Sequence, residues 1–319
     1  VSLSNHTVRV LVALVAIPLI IVLAMAGGVY FFALVAVISA VALTEFYALA
    51  KAKGAFPQVA LGLLFGFSVN AVFLHRRIQH AVVGIFQEGG VAVPFPSMAQ
   101  LLMILSLLFI PLMLILELFR RKGSPVLNLA TTLFGVGYVS FLLGTFIGVR
   151  ELFHPDDLPL FRYFGMAGAS VPDEVVRTID RWGGATVMSI LASIWICDSA
   201  AYYVGSAAGK HKLFERVSPK KSWEGAVGGI LAALVSFVAA KFLVLPYLSV
   251  TNALVCGAIV GVFGQVGDLA ESLLKRDAGV KDSSSLIPGH GGALDRFDSL
   301  LFVSPLVFVY LDFILFSQW

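Results

Sequence analysis

Long runs of apolar residues, broken by short polar punctuation, fill the chain from its beginning to its end. A segment that crosses a bilayer as a helix needs about 17 to 25 such residues. Nine stretches come near that length: Val8 to Ala26, Gly28 to Leu49, Val59 to Leu74, Met98 to Phe119, Val126 to Val149, Ala185 to Ala207, Gly225 to Leu245, Thr251 to Leu269 and Ser299 to Phe316. The pattern predicts an all-α, polytopic integral membrane protein with about nine transmembrane helices. The third stretch is short, carries glycine and is interrupted by Asn70, so counts of eight or ten also satisfy the pattern. The first run has the outline of a signal peptide, with Arg9, an apolar core and Ala24-Met25-Ala26. It is longer than an ordinary signal core and a second span follows at once, so it is read as a retained helix.

Composition narrows the class further. Apolar residues make up 59% of the 319 and charged residues only 13%, where soluble domains carry about a quarter charged. Such a chain cannot cover a soluble surface, and disorder or a coiled coil fails on the same ground. The net charge of +3 sits in clusters between apolar runs, which is the mark of membrane topology rather than of nucleic-acid binding. Cys197 and Cys256 lie within apolar runs and form no metal or redox motif.

Lysine and arginine then orient the chain. With the amino terminus in the cytoplasm, 15 basic residues fall on the inner side and seven on the outer side, so the positive-inside bias selects this orientation. Arg76 and Arg77 are the discordant pair. Three regions follow: amino-terminal helices over 1–125, middle helices over 126–208 with an extracytoplasmic insert at about 150–184, and a carboxyl-terminal region over 209–319 with two cytoplasmic loops. The insert reads as a solvated connector without chemistry.

Chemistry concentrates in those two loops. Gly209 to Gly225 reads GKHKLFERVSPKKSWEG, a lysine-rich segment leading into a helix that Ser222 is placed to cap. Lysine ammonium groups and free helix N–H groups together suit phosphate, although positive-inside anchoring explains the loop equally well. The second loop, Gln265 to Ser299, carries ten charged residues between two helix ends. Asp268, Glu271 and Lys275 recur at helical spacing on one face. Asp295 and Asp298 stand three apart where the last helix begins. Clustered carboxylates at a membrane edge are costly unless a cation joins them, and oxygen-only ligands indicate Mg²⁺. Zinc lacks its ligands, because His290 has no second His or Cys at ligand spacing. Taken singly, each feature has a structural explanation: Asp295 and Asp298 as helix N-terminal acids, Glu271 with Lys275 as a surface ion pair. Their coincidence on one loop points to phosphoryl or nucleotidyl transfer. Glu45, Glu117 and Asp312 sit near span ends and are assigned no function.

Ser272, Lys275, Arg276, Lys281, Asp282, Pro288, His290, Gly291, Gly292, Asp295, Arg296 and Asp298 together resemble the signature of the phosphatidate cytidylyltransferases, with Ala293 where the family has a larger aliphatic residue. Asp198, Ala201, Tyr202, Gly209, Lys210, His211, Lys212, Ser218, Pro219, Lys221, Trp223, Glu224 and Gly225 resemble that family's preceding segment, which departs from it at Ser206 and Ala207. The resemblance implies that CTP and phosphatidic acid give CDP-diacylglycerol and pyrophosphate. It also implies a dimeric helical fold with a cavity open to cytosol and lipid. On that basis Asp268, Asp295 and Asp298 are expected to hold Mg²⁺, with an additional monovalent cation left open. Asp268, Asp295, Lys275, Arg276, Lys281, His290 and Arg296 are expected to be catalytic, and Ser218, Lys220, Lys221, Asp198, Tyr202, Ser272, Asp282, Gly291 and Gly292 to bind substrate. The rival readings are a CTP-dependent lipid or polyprenol kinase and an ion-coupled transporter.

Overall fold

The computed structural model describes residues 5–88, 94–153, 172–286 and 291–316, with side chains described from residue 10 and, in the first block, up to residue 86. Eleven α-helices run in chain order: α1 (Asn5–Ala26), α2 (Gly28–Ala52), α3 (Val59–Val72), α4 (His75–Glu88), α5 (Met98–Leu118), α6 (Pro125–Gly135), α7 (Leu142–Glu151), α8 (Asp173–Ala208), α9 (Trp223–Leu243), α10 (Val250–Asp277) and α11 (Leu294–Val309). A π-helical turn over Val136–Phe141 joins α6 to α7, and another over Tyr310–Leu315 prolongs α11. The described strands are β1 (Lys212–Phe214) and β2 (Ser218–Ser222), a small antiparallel pair between α8 and α9.

The protein is an all-α polytopic integral membrane protein. Among the described residues seven helical stretches are long and apolar enough to cross a bilayer, and the bent pair α3–α4 makes eight if it counts as one span. Each of the nine expected stretches falls on a helix, but the apolar part of α1, Val10–Ala26, is shorter than the seven. The third differs for a physical reason. Phe73 and Leu74 close α3 with tight hydrogen bonds to Asn70 O and Ala71 O, and the chain then turns by 78° into α4. Helix α4 starts with His75, Arg76 and Arg77, which a continuous apolar span would have to bury.

The stretch expected as an insert at 150–184 is partly helix. Helix α8 begins at Asp173 and runs for 36 residues, so Arg177, Asp180 and Arg181 lie on a helix; residues 154–171 fall outside the described ones. Arg150, fully buried at the end of α7, shows why that helix end is ordered. Its Nε donates to Ala24 O at 2.8 Å, and its Nη2 reaches Met25 O at 3.2 Å and Asp180 Oδ1 at 2.7 Å. Arg77 meets Glu151 Oε2 at 2.6 Å while Glu151 Oε1 accepts Gly28 N–H at 3.2 Å. Arg76 acts on Asp312. The two arginines that oppose the charge bias therefore answer acids built into the same end of the bundle.

At the other helix ends, α8, α9, α10 and α11 pack successively against one another, and α11 also packs on α7. Small residues set the spacing. A Cβ at Gly267 of α10 would lie 2.5 Å from Asp298 O on α11, so the two backbones touch there. Gln265 of α10 donates to Ala226 O of α9 at 3.0 Å, locking the next pair.

Candidate active site

The lysine-rich loop is folded back on the start of α9. Ser222 caps that helix as expected, its hydroxyl accepting Gly225 N–H at 3.2 Å. Trp223 N–H donates to His211 O at 2.9 Å. Glu224 takes the Lys210 N–H at 3.1 Å and stands 2.6 Å from His211 Nδ1. Ser218 opens β2, Lys220 is exposed, and Lys221 turns inward until its Nζ is 2.6 Å from Asp268 Oδ2 on α10. Two segments far apart in sequence thus meet in one ion pair. The other oxygen of Asp268 accepts the Ser272 hydroxyl at 3.3 Å, one turn further along.

A second cluster is buried deeper. Lys275 lies between Glu271 Oε2 at 2.5 Å and Asp295 Oδ1 at 2.6 Å. Glu271 is fully buried, so this pair is not the surface ion pair that its spacing alone allows. The same Asp295 uses its second oxygen for three donors: Ser283 N–H and Oγ, each at 2.9 Å, and Gly292 N–H at 2.8 Å. One carboxylate thereby ties α10 to both ends of the loop that precedes α11.

Glu45 repeats that arrangement from the opposite side. Expected to be a span-end residue without a role, it is buried at 5% exposure, two turns inside α2. Its oxygens accept Ser284 Oγ at 2.6 Å, Ser283 Oγ at 3.1 Å, Ala293 N–H at 3.0 Å and Leu294 N–H at 2.7 Å. The last two are orphan donors at the start of α11, where a negative charge is favourable. Glycine is required in the loop: Gly291 has φ +82°, and a Cβ on Gly292 would collide with Ser283 Oγ and both Glu45 oxygens. Glu117 is also buried, held by Gln58, Asn128 and Arg120 at 2.7 to 2.8 Å; it organises the α5–α6 turn.

Three acids from three helices act on one another beside these clusters. Asp198 on α8 and Asp298 on α11 both experience the charge of Asp268 on α10, and Asp298 that of Asp198. Lys221 and Arg296 are the cations that act on Asp198. The Gly267 contact explains the pairing of Asp268 with Asp298, because it brings α10 and α11 together at those residues. Asp295 and Asp298, three apart, are held differently: Asp295 makes direct bonds to Lys275 and the loop, while Asp298 feels Lys275 without a direct bond and experiences the charges of Asp268 and Asp198. Among the described residues no three His, Cys, Asp or Glu stand close enough together to be a formed metal cage. The oxygen donors of Asp198, Asp268 and Asp298 nonetheless suit a hard cation that keeps most of its waters.

Apart from Arg296, which acts on Asp198, the remaining expected residues are dispersed. Arg276 points away, its guanidinium donating to Val280 O at 3.0 Å. Lys281 and Asp282 are exposed, Tyr202 is exposed against Tyr203, and Arg296 is exposed on the first turn of α11. Pro288, Gly289 and His290 lie outside the described residues. Glu45 is the residue that sequence reasoning missed; its signal was a carboxylate two turns inside an apolar helix, too deep to reach water by snorkelling.

The arrangement gathers Lys221 from the loop before α9 and Lys275 from α10, each paired with carboxylates, a chemistry suited to polyanions. Comparison with known proteins agrees. Residues 7–314 match the model of the Cytidylyltransferase family. A Synechocystis protein named phosphatidate cytidylyltransferase is 31% identical over 318 residues, covering 97% of both chains. Proteins of the same name from Bacillus subtilis and Staphylococcus haemolyticus are each 46% identical, over 145 and 118 residues. Those alignments span 44% and 37% of this chain, and 52% and 45% of the relatives.

Proposed function

The chain belongs to the cytidylyltransferase family, and we propose on that premise that it transfers the cytidylyl group of CTP to phosphatidic acid, giving CDP-diacylglycerol and pyrophosphate. The observation that carries the reading is the meeting of Lys221, from the loop before α9, with Asp268 of α10, beside Lys275 held between Glu271 and Asp295. We place this surface at the cytoplasmic face of a bacterial inner membrane, where CTP is available and where the positive-inside bias puts both loops. A homodimer, as the resemblance implies, is part of the same proposal.

The lipid phosphate is already an anion, so no side chain has to remove a proton from it. One of its oxygens forms a bond to the α-phosphorus of CTP, the bond from that phosphorus to the bridging oxygen breaks, and pyrophosphate leaves with the electron pair. The obstacle is repulsion between two polyanions, and the protein answers it with positioned positive charge. Lys275 is held rigidly by two carboxylates and presents an ammonium to a phosphate oxygen. Lys221 does so from the facing loop, and exchanges Asp268 for phosphate as substrate enters. Ser218, Lys220, Arg276, Lys281 and Arg296 supply further donors around the opening.

Mg²⁺ would be held by Asp268 and Asp298, with Asp198 near them, and would supply charge neutralisation at the phosphates. Support for this set comes from the mutual repulsion of these acids. Asp295, expected beside them, has its oxygens occupied by Lys275, Ser283 and Gly292, and its role is to hold Lys275 and the loop.

The test is transfer of label from α-phosphate-labelled CTP, with phosphatidic acid and Mg²⁺, to purified protein in detergent. Label entering the lipid supports cytidylyl transfer. Label remaining in CDP supports a kinase, and ion flux in liposomes without pyrophosphate release supports a transporter.

A further inference from the structure

An apolar groove of about 530 Å³ opens beside the cluster of charges, between the π-helical turn after α6, the carboxyl-terminal half of α10 and α11. Its volume is within the usual span of ligand sites, about 300–1,000 Å³. Phe134, Gly137, Tyr138, Leu273, Leu274 and Phe302 line it. Leu273 and Leu274 lie on α10 between Ser272 and Lys275, so one helix presents an apolar wall to the groove and its charged residues to the site.

Two independent features mark the groove as a binding site. The hydroxyl of Tyr138 is buried and has no hydrogen-bond partner among the described residues, although buried tyrosine hydroxyls ordinarily find one. It lies within reach of the charges of Glu271 and Asp298, at the seam between groove and charged cluster. The second feature is Gly137. Its neighbours Gly135 and Gly144 are glycines of necessity, because a Cβ on either would strike Tyr47 or Phe73. Gly137 meets nothing within 4 Å and has no positive φ, so neither packing nor backbone conformation demands glycine there. Glycine is a poor helix former; at this position it leaves the groove open. The π turn, with its extra residue, is a common feature of functional sites in helices.

We propose that this groove receives an acyl chain of the phosphatidic acid substrate, with the Tyr138 hydroxyl donating a hydrogen bond to an oxygen of the same lipid's head region. The inference rests on the cytidylyl-transfer reading and extends it to lipid selection. Position selects the occupant: the groove ends beside the cluster that carries Lys275, so a headgroup held by that ammonium leaves its chain along Leu273 and Leu274. Gly137 sets the width of the groove and Tyr138 its polar end.

The experiment compares dioleoyl phosphatidic acid in mixed micelles with water-soluble dihexanoyl phosphatidic acid, for wild type, Gly137→Leu, Leu273→Trp and Tyr138→Phe. Gly137→Leu and Leu273→Trp are expected to lower kcat/KM for the dioleoyl lipid at least tenfold while dihexanoyl turnover stays within twofold of wild type, which also reports that the variants are folded. Tyr138→Phe is expected to raise KM for both lipids about fivefold and leave KM for CTP unchanged. Equal loss on both lipids in Gly137→Leu and Leu273→Trp, or no loss on either, overturns the groove while leaving cytidylyl transfer standing. A wild-type protein that makes no CDP-lipid from either substrate overturns the activity itself, and the groove's occupant with it.

Discussion

The carboxylate of Glu45 accepts the backbone N–H of Leu294 at 2.7 Å across 249 positions of sequence. With Ala293 N–H and the hydroxyls of Ser283 and Ser284 on the same carboxylate, an amino-terminal helix anchors both ends of the carboxyl-terminal motif loop. Hydrogen bonds to a buried charge are worth about 1.5–3 kcal/mol each, and leaving their donors unsatisfied costs more than never having made them. Glu45→Gln keeps the shape but turns half of the acceptor into a donor facing donors. It is expected to lower kcat about 10- to 100-fold with little change in KM for CTP. Hydrogen exchange over 283–294 should rise, and unchanged exchange together with wild-type kcat would remove the anchoring role.

Lys275 compensates two acids at once. Lys275→Met is therefore expected to lower stability by about 3–5 kcal/mol, the usual cost of removing one partner from a buried charge cluster. Adding Glu271→Gln removes one of the stranded charges and should recover much of the thermal midpoint in detergent without restoring turnover. A double variant no more stable than the single one would show that the buried charge is not what destabilises it.

Asp268 and Asp298 oppose each other electrostatically. Asp298→Asn relieves that repulsion, so the thermal midpoint without Mg²⁺ is expected to stay level or rise. The Mg²⁺ concentration for half-maximal activity should increase at least tenfold, as a donor to the cation is lost. Midpoint and Mg²⁺ titration are measured on the same preparation, and an unchanged Mg²⁺ requirement would take Asp298 out of the metal set.

Gly292 and Gly137 make a controlled pair. A Cβ at Gly292 collides with Ser283 and Glu45, whereas one at Gly137 meets open space. Gly292→Ala is expected to destabilise by about 1–3 kcal/mol and to lose most activity. Gly137→Ala should be neutral or slightly stabilising, as alanine is the better helix former. Thermal unfolding in the same detergent distinguishes the two.

Much of this molecule was open to inspection as a string of letters. Apolar run length located every helix except α4 and the polar start of α8, because a bilayer demands about 20 apolar residues and leaves few alternatives. The motif loops stood out because ten charges in 35 residues are anomalous in a chain that is 13% charged. Ser222 was recognisable as a cap from its place before a helix. Glu45 showed only its depth, two turns inside an apolar helix; its partners lie more than 230 residues away, and local spacing carries no trace of them. The two arginines on the wrong side of the charge bias were equally opaque until Glu151 and Asp312 appeared beside them.

The sequence by itself determined the membrane class, the apolar spans and the two segments where charge gathers, because hydropathy and side-chain chemistry are properties of each position. Which carboxylate serves which cation was decided only by tertiary structure. Asp295 and Asp298 are one helical turn apart and equivalent by spacing. The close crossing of α10 and α11 at Gly267 turns one toward Asp268, while the loop closed by Glu45 commits the other to Lys275. Helix crossings and long-range hydrogen bonds depend on how close two distant backbones can come, and no single stretch of chain contains that distance.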